Sequence, residues 1–141
     1  MTSAHRAINA YIRTGLETGV AEAAPHRLIS MLFDGAIQAM AEARIRLAQG
    51  DIAERGKAIS KAITIVDEGL RESLDLDRGG ELAERLDALY YYICSRLLTA
   101  NLKADAEPLI EAERLLTELQ DAWRGINESQ QNLEVVHAAH V

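Results

Sequence analysis

The side chains able to do chemistry are few and scattered. The four histidines are His5, His26, His137 and His140, all outside the interiors of the helices derived below. Glu134-Val135-Val136-His137 has the Glu-x-x-His spacing with which helical bundles hold di-iron centres. Such a centre takes two of these motifs plus carboxylates from facing helices, all projecting into the core. This chain has one motif, in its tail, and it is read as solvated. His137 and His140 would share a helical face and could touch one metal, but two ligands do not complete a zinc site. His26 follows Pro25, and the first turn of a helix is an ordinary place for an exposed polar residue, so it is not read as a phosphohistidine. Cys94 has no nearby histidine to act as a base and is read as a small packing residue. No phosphate-binding motif is present on a strand–helix junction, since no strand is predicted. The expectation is a protein that is not an enzyme and needs no metal or cofactor.

Composition narrows the partners. A chain of 141 residues fits one domain with a single core. Its low aromatic content, 4%, together with abundant Ala and Leu, favours packed helices over a sheet. A formal net charge of -7 argues against nucleic acid or an anionic membrane as partner of the body. The start, Met1-Thr2-Ser3-Ala4-His5-Arg6, has no apolar run behind its charges, so it is not a secretory signal. No stretch approaches the roughly 20 apolar residues of a membrane span, and no direct membrane insertion is expected. The single cysteine cannot form an internal disulfide, which is compatible with a reducing cytosol.

Four segments carry helical periodicity. The first runs over 25–49 and opens on Pro25, whose missing N–H is no loss at the first helical position. Leu28, Leu32, Ala36, Ala43 and Leu47 lie along one broad apolar face. The second covers about 51–74, with Ile52, Gly56, Ile59, Ile63, Val66, Leu70 and Leu74 in alternating steps of three and four. Asp75 to Gly80 reads as a turn. The third spans about 81–101, with a seam of Leu82, Leu86, Leu89, Ile93, Leu97 and Ala100, and Asn101 suits the left-handed residue that stops a helix. The fourth runs from about 105 to 126, with Pro108 in its first turn and Leu109, Ala112, Leu116, Leu119, Trp123 and Ile126 on its face. Matched lengths and short connections predict an all-α, antiparallel, up-down-up-down four-helix bundle. Residues 1–24 form an arm or short helix and a linker, and residues 127–141 extend the last helix or fray.

Two helices carry more apolar surface than a bundle core needs. Beside the seam of the second helix lies a row of Ala58, Ala62, Ile65 and Gly69. Beside that of the third lies Ala83, Tyr90, Cys94 and Leu98, with Tyr91 at its edge. Such rows either widen the core, bury against the arm, or form a groove for amphipathic helices of a partner. An arm carrying Ile8 and Tyr11 could cover the groove until a partner displaces it. The groove reading predicts that Ala62→Glu weakens partner binding while the bundle stays folded.

The stretch Gly79-Gly80-Glu81-Leu82-Ala83, followed by Leu86, Leu89-Tyr90, Tyr92, Arg96-Leu97 and Ala100-Asn101, resembles the third-helix signature of the FliS-type flagellin chaperones. Asn9-Ala10-Tyr11, Pro25-His26-Arg27-Leu28-Ile29 with Met31-Leu32-Phe33-Asp34-Gly35-Ala36, Leu115-Leu116 and Ala122-Trp123 match the family in the same order, so the resemblance covers about residues 9–126. It implies a cytosolic export chaperone that binds the C-terminal segment of flagellin, prevents premature polymerisation, and delivers it to the cytoplasmic domain of the export-gate membrane protein. It implies that Tyr11, with Ile8, packs over the empty groove and takes part in gate docking. Tyr90 and Asn101 match positions around the groove and its end. The alternative from the residues alone is a generic helical adaptor for another amphipathic partner.

Overall fold

Turn chemistry at each junction sets the helix ends. In the computed structural model, the described residues are 25–139, with side chains described over 27–126. Helix α1, Pro25–Gln49, stops at Gly50, whose φ of 70° is left-handed. Helix α2 begins at Ile52, where the Asp51 carboxylate accepts the Glu54 N–H at 3.2 Å. This cap satisfies one of the donors a helix start leaves without a partner. After Thr64 the helix continues as a π-helix, Ile65–Arg71. Helix α3, Leu76–Lys103, opens on Asp75, which accepts the Arg78 N–H at 3.1 Å. Helix α4 is Ala106–Ala139. Among the described residues there are these four helices and no strand.

The helices form a ring in which α1 packs on α2 and α4, and α3 packs on α2 and α4. Cross-links show that neighbours run antiparallel. Along α1 and α4, Arg44 pairs with Glu113, Gln120 donates to Asp34, and Trp123 donates to Ser30. Along α2 and α3, Arg55 meets Asn101 and Arg71 meets Asp87. The core is one cluster whose large buried members include Leu32, Met40, Ile59, Val66, Ile93, Leu97, Leu109 and Leu116. At 34 residues α4 is about 51 Å long, against about 37 Å for the 25 residues of α1. Its backbone therefore runs past the start of α1, continuing the fourth helix beyond residue 126.

The structure differs from the sequence reading at three junctions. The Asp75–Gly80 stretch is a helical turn broken only at Gly80, with φ 56° and ψ -138°, after which the helix resumes. Asn101 does not stop α3. The left-handed residue is Ala104, with φ 50° and ψ 46°, because the Asn101 side chain is engaged by Arg55 and the helix runs on to Lys103. The π-helix is the third difference. With hydrogen bonds reaching the fifth residue instead of the fourth, its turns hold more than four residues, so residues four apart stay aligned. Ile65 and Gly69 thus face inward alongside Val66 and Leu70, and all four are buried. The outer members of the predicted seams, Ile52, Leu82 and Ile126, are exposed.

Candidate partner-binding site

The two surplus rows meet different fates. On α2, Ala58, Ala62 and Ile65 belong to the core cluster, and Ala62 has no exposed surface. A carboxylate at position 62 would therefore sit in the core, and Ala62→Glu is expected to destabilise the bundle itself. On α3, Tyr90 and Cys94 are buried as well. Burial pushes the Tyr90 hydroxyl up to about 12. Burial also pushes the Cys94 thiol up to about 12, with the Asp67 carboxylate adding to the effect, and its Sγ points toward the Ile63 carbonyl at 3.9 Å. A neutral thiol in this setting is a packing group.

What remains open on α3 is an apolar stripe. Tyr91 is 60% exposed, Leu98 52% and Leu102 84%. Separated by seven and four residues, they lie on one helix face. Tyr91 is held from the side by α2, since the Arg71 guanidinium stands over its ring at 5.3 Å from the centroid. Arg71 is itself fixed by Asp87 on α3, with Nε to Oδ1 at 2.6 Å, and by Asp67 on its own helix, with Nη1 to Oδ1 at 3.1 Å. The hydrogen bond to Asp87 chiefly raises the Arg71 guanidinium above its ordinary range. At the other end of the stripe, Asn101 accepts from Arg55 Nε through Oδ1 at 3.0 Å and from Nη2 through its carbonyl at 3.1 Å. The stripe thus lies along the α2–α3 seam between two arginine clasps. On the opposite flank of α3, Tyr92 donates to Glu111 on α4, which also accepts from Arg96. These bonds hold the Glu111 carboxyl below the usual carboxylate range, the Tyr92 hydroxyl contributing most.

A second apolar feature is a cleft of about 430 Å³ at the α2–α3 connection, lined by Ile29, Phe33, Leu82, Leu86 and Trp123 among others.

Of the residues singled out from sequence, Tyr90, Tyr91, Cys94, Leu98 and Asn101 share one side of α3, while Ala58, Ala62 and Ile65 lie beneath it in the core. Ile8 and Tyr11 fall outside the described residues, as do His5, His140 and the side chains of His26 and His137. Sequence reasoning missed Leu102, because it ended the helix at Asn101. Its spacing of four from Leu98 was the available signal. It also missed Arg55 and Arg71, for which α2 alone gives no cue, since their partners lie on α3. Among the described residues no group of histidine, cysteine and acidic side chains is placed to hold a metal ion, and no helix is long and apolar enough to cross a membrane.

An antiparallel helical bundle with an open apolar stripe held between two arginine clasps has the build of a module that binds another chain. The family model described as Flagellar protein FliS matches residues 7–130. The chain is 48% identical over 120 residues to the flagellar secretion chaperone FliS of Salmonella typhimurium, covering 85% of this chain and 89% of that one. It is 44% identical over 124 residues to the flagellar secretion chaperone FliSB of Pseudomonas aeruginosa, covering 88% and 98%. With the flagellar secretion chaperone FliS of Bacillus subtilis it shares 31% over 108 residues, covering 77% and 79%. The chain belongs to the FliS family, whose named relatives are chaperones of flagellar secretion, a binding role and not a catalytic one.

Proposed function

We propose that this chain is a cytosolic export chaperone that holds the C-terminal segment of flagellin, keeps it from polymerising prematurely and delivers it to the cytoplasmic domain of the export gate. The observation that carries the reading is the stripe of Tyr91, Leu98 and Leu102. Three large apolar side chains stand open on one helix face over about 17 Å of helix. That length and spacing suit an amphipathic client helix with anchors three, four and seven residues apart. A client disordered before binding loses ordering entropy when it is held, which moderates affinity and suits a cargo that must be released. In this reading the arm, through Ile8 and Tyr11, competes with the client for the same side of the bundle.

Calorimetric titration of the purified chain with the flagellin C-terminal segment tests this, repeated after deletion of residues 1–24. Saturable binding near one-to-one supports the chaperone reading, and a change in affinity on deletion supports the competing arm. Binding indifferent to the deletion keeps the chaperone and discards the competition. A folded chain that does not bind an intact segment refutes the flagellin reading and leaves an adaptor for another helix.

A further inference from the structure

Arg55 is only 7% exposed and has no carboxylate partner among the described residues. Its neighbours on the first turn of α2 are already engaged. Asp51 caps the Glu54 N–H and faces Arg46 at 3.8 Å, and Glu54 pairs with Lys57 at 3.2 Å. Two of the three guanidinium nitrogens have a structural task. Nε and Nη2 hold Asn101, and the Nη2 bond satisfies one of the last carbonyls of α3, which have no partner within their own helix. The negative end of the α3 dipole favours a cation there. The third nitrogen is different. Nη1 makes no hydrogen bond among the described residues, yet it is not sealed from solvent. A nearly buried guanidinium with one free edge and only neutral acceptors binds an arriving carboxylate strongly, because its desolvation has already been met on folding.

The position of that edge matters. Asn101, which Arg55 grips, stands between Leu98 and Leu102 in the chain, so the guanidinium flanks the open stripe and does not lie beyond its end. We propose that Arg55 Nη1 is a carboxylate-recognition site, receiving an aspartate or glutamate side chain on the client helix, close to the apolar anchors that lie on Leu98 and Leu102. The site sets the register of the client on α3, since apolar contacts alone allow the helix to slide while a single ion pair in a low-dielectric edge does not. This rests on the proposed binding of the flagellin C-terminal segment.

The test is a double-mutant cycle by calorimetry. One axis is Arg55→Met or Arg55→Lys in the full chain. The other is a set of synthetic flagellin C-terminal segments in which each Asp or Glu in turn becomes Asn or Gln, plus one with an amidated C-terminus. Arg55→Met is expected to weaken the native segment on the order of tenfold, the usual range for a charge-assisted bond. One amide-substituted segment should bind both chains within about twofold of each other. Arg55→Lys should retain most of the coupling while losing part of the grip on Asn101, which separates the ion pair from the cap. Equal weakening of every segment by Arg55→Met, with a less stable free chain, makes Arg55 a structural cap only and overturns the proposal. Loss of the coupling with the amidated segment alone places the chain terminus at Nη1 and overturns the side-chain assignment. A wild-type chain that binds no segment removes the flagellin reading first, and this site with it.

Discussion

Ala62→Glu separates the two meanings of the small row on α2. Ala62 has no exposed surface and lies in the core cluster. A glutamate there must bury its carboxyl, and burial favours the neutral acid. Fully buried glutamates reach a pKa of about 8, against about 4.3 in the unfolded chain. The folded form then binds more protons than the unfolded form between those values, so stability falls as pH rises across that window. The destabilisation amounts to about 4 kcal/mol at roughly pH 7.5 and under about 2 kcal/mol at roughly pH 5.5. Overpacking adds about 1–3 kcal/mol at either pH. Against a typical total of about 5–15 kcal/mol, the variant is marginal at the higher pH and partly restored at the lower. Urea unfolding followed by far-ultraviolet circular dichroism at the two pH values measures this. Leu98→Glu is the control, because a half-exposed side chain changes stability by about 0.5 kcal/mol or less while placing a charge on the open stripe. An Ala62→Glu chain with wild-type stability at both pH values and impaired client binding would refute core burial and restore the groove to α2.

Four other outcomes are open to measurement. Gly80→Ala forces a side chain into φ 56° and ψ -138°; among the described residues nothing lies within 4 Å of the added Cβ, so the stability loss of about 1–3 kcal/mol, seen as a lower denaturant midpoint, is torsional. Ala104→Gly relieves the left-handed cap at the end of α3 and should raise stability by about 1 kcal/mol, seen as a higher midpoint with an unchanged slope. Cys94, with its thiol pushed up to about 12, should react with iodoacetamide near pH 8 on the order of a thousandfold more slowly in the folded chain than in urea. Arg71→Met removes the bonds to Asp67 and Asp87 and frees the Tyr91 ring; since these partners are about one-third exposed, the stability loss is about 1 kcal/mol and shrinks in high salt.

The sequence by itself determined the four helices, their order and most of the core. Periodic apolar residues and Pro25 act over a few residues, and local physics reads them directly. It also determined that the third helix carries surplus apolar surface, and the order of its short motifs pointed to the FliS family. Only the tertiary structure decided which surplus side chains stay open. Ala58, Ala62 and Ile65 have the same local look as a groove floor, yet the π-turn after Thr64 and the packing of α1 and α3 close over them. Tyr91, Leu98 and Leu102 remain outside because, among the described residues, no neighbouring helix reaches that side of α3. The end of α3 was settled in the same way. Asn101 suits a left-handed stop, but Arg55, 46 positions earlier, takes its side chain and its carbonyl, and the helix continues to Lys103. Contacts between residues that distant leave no mark on either local pattern, so the clasps at both ends of the stripe are properties of the fold.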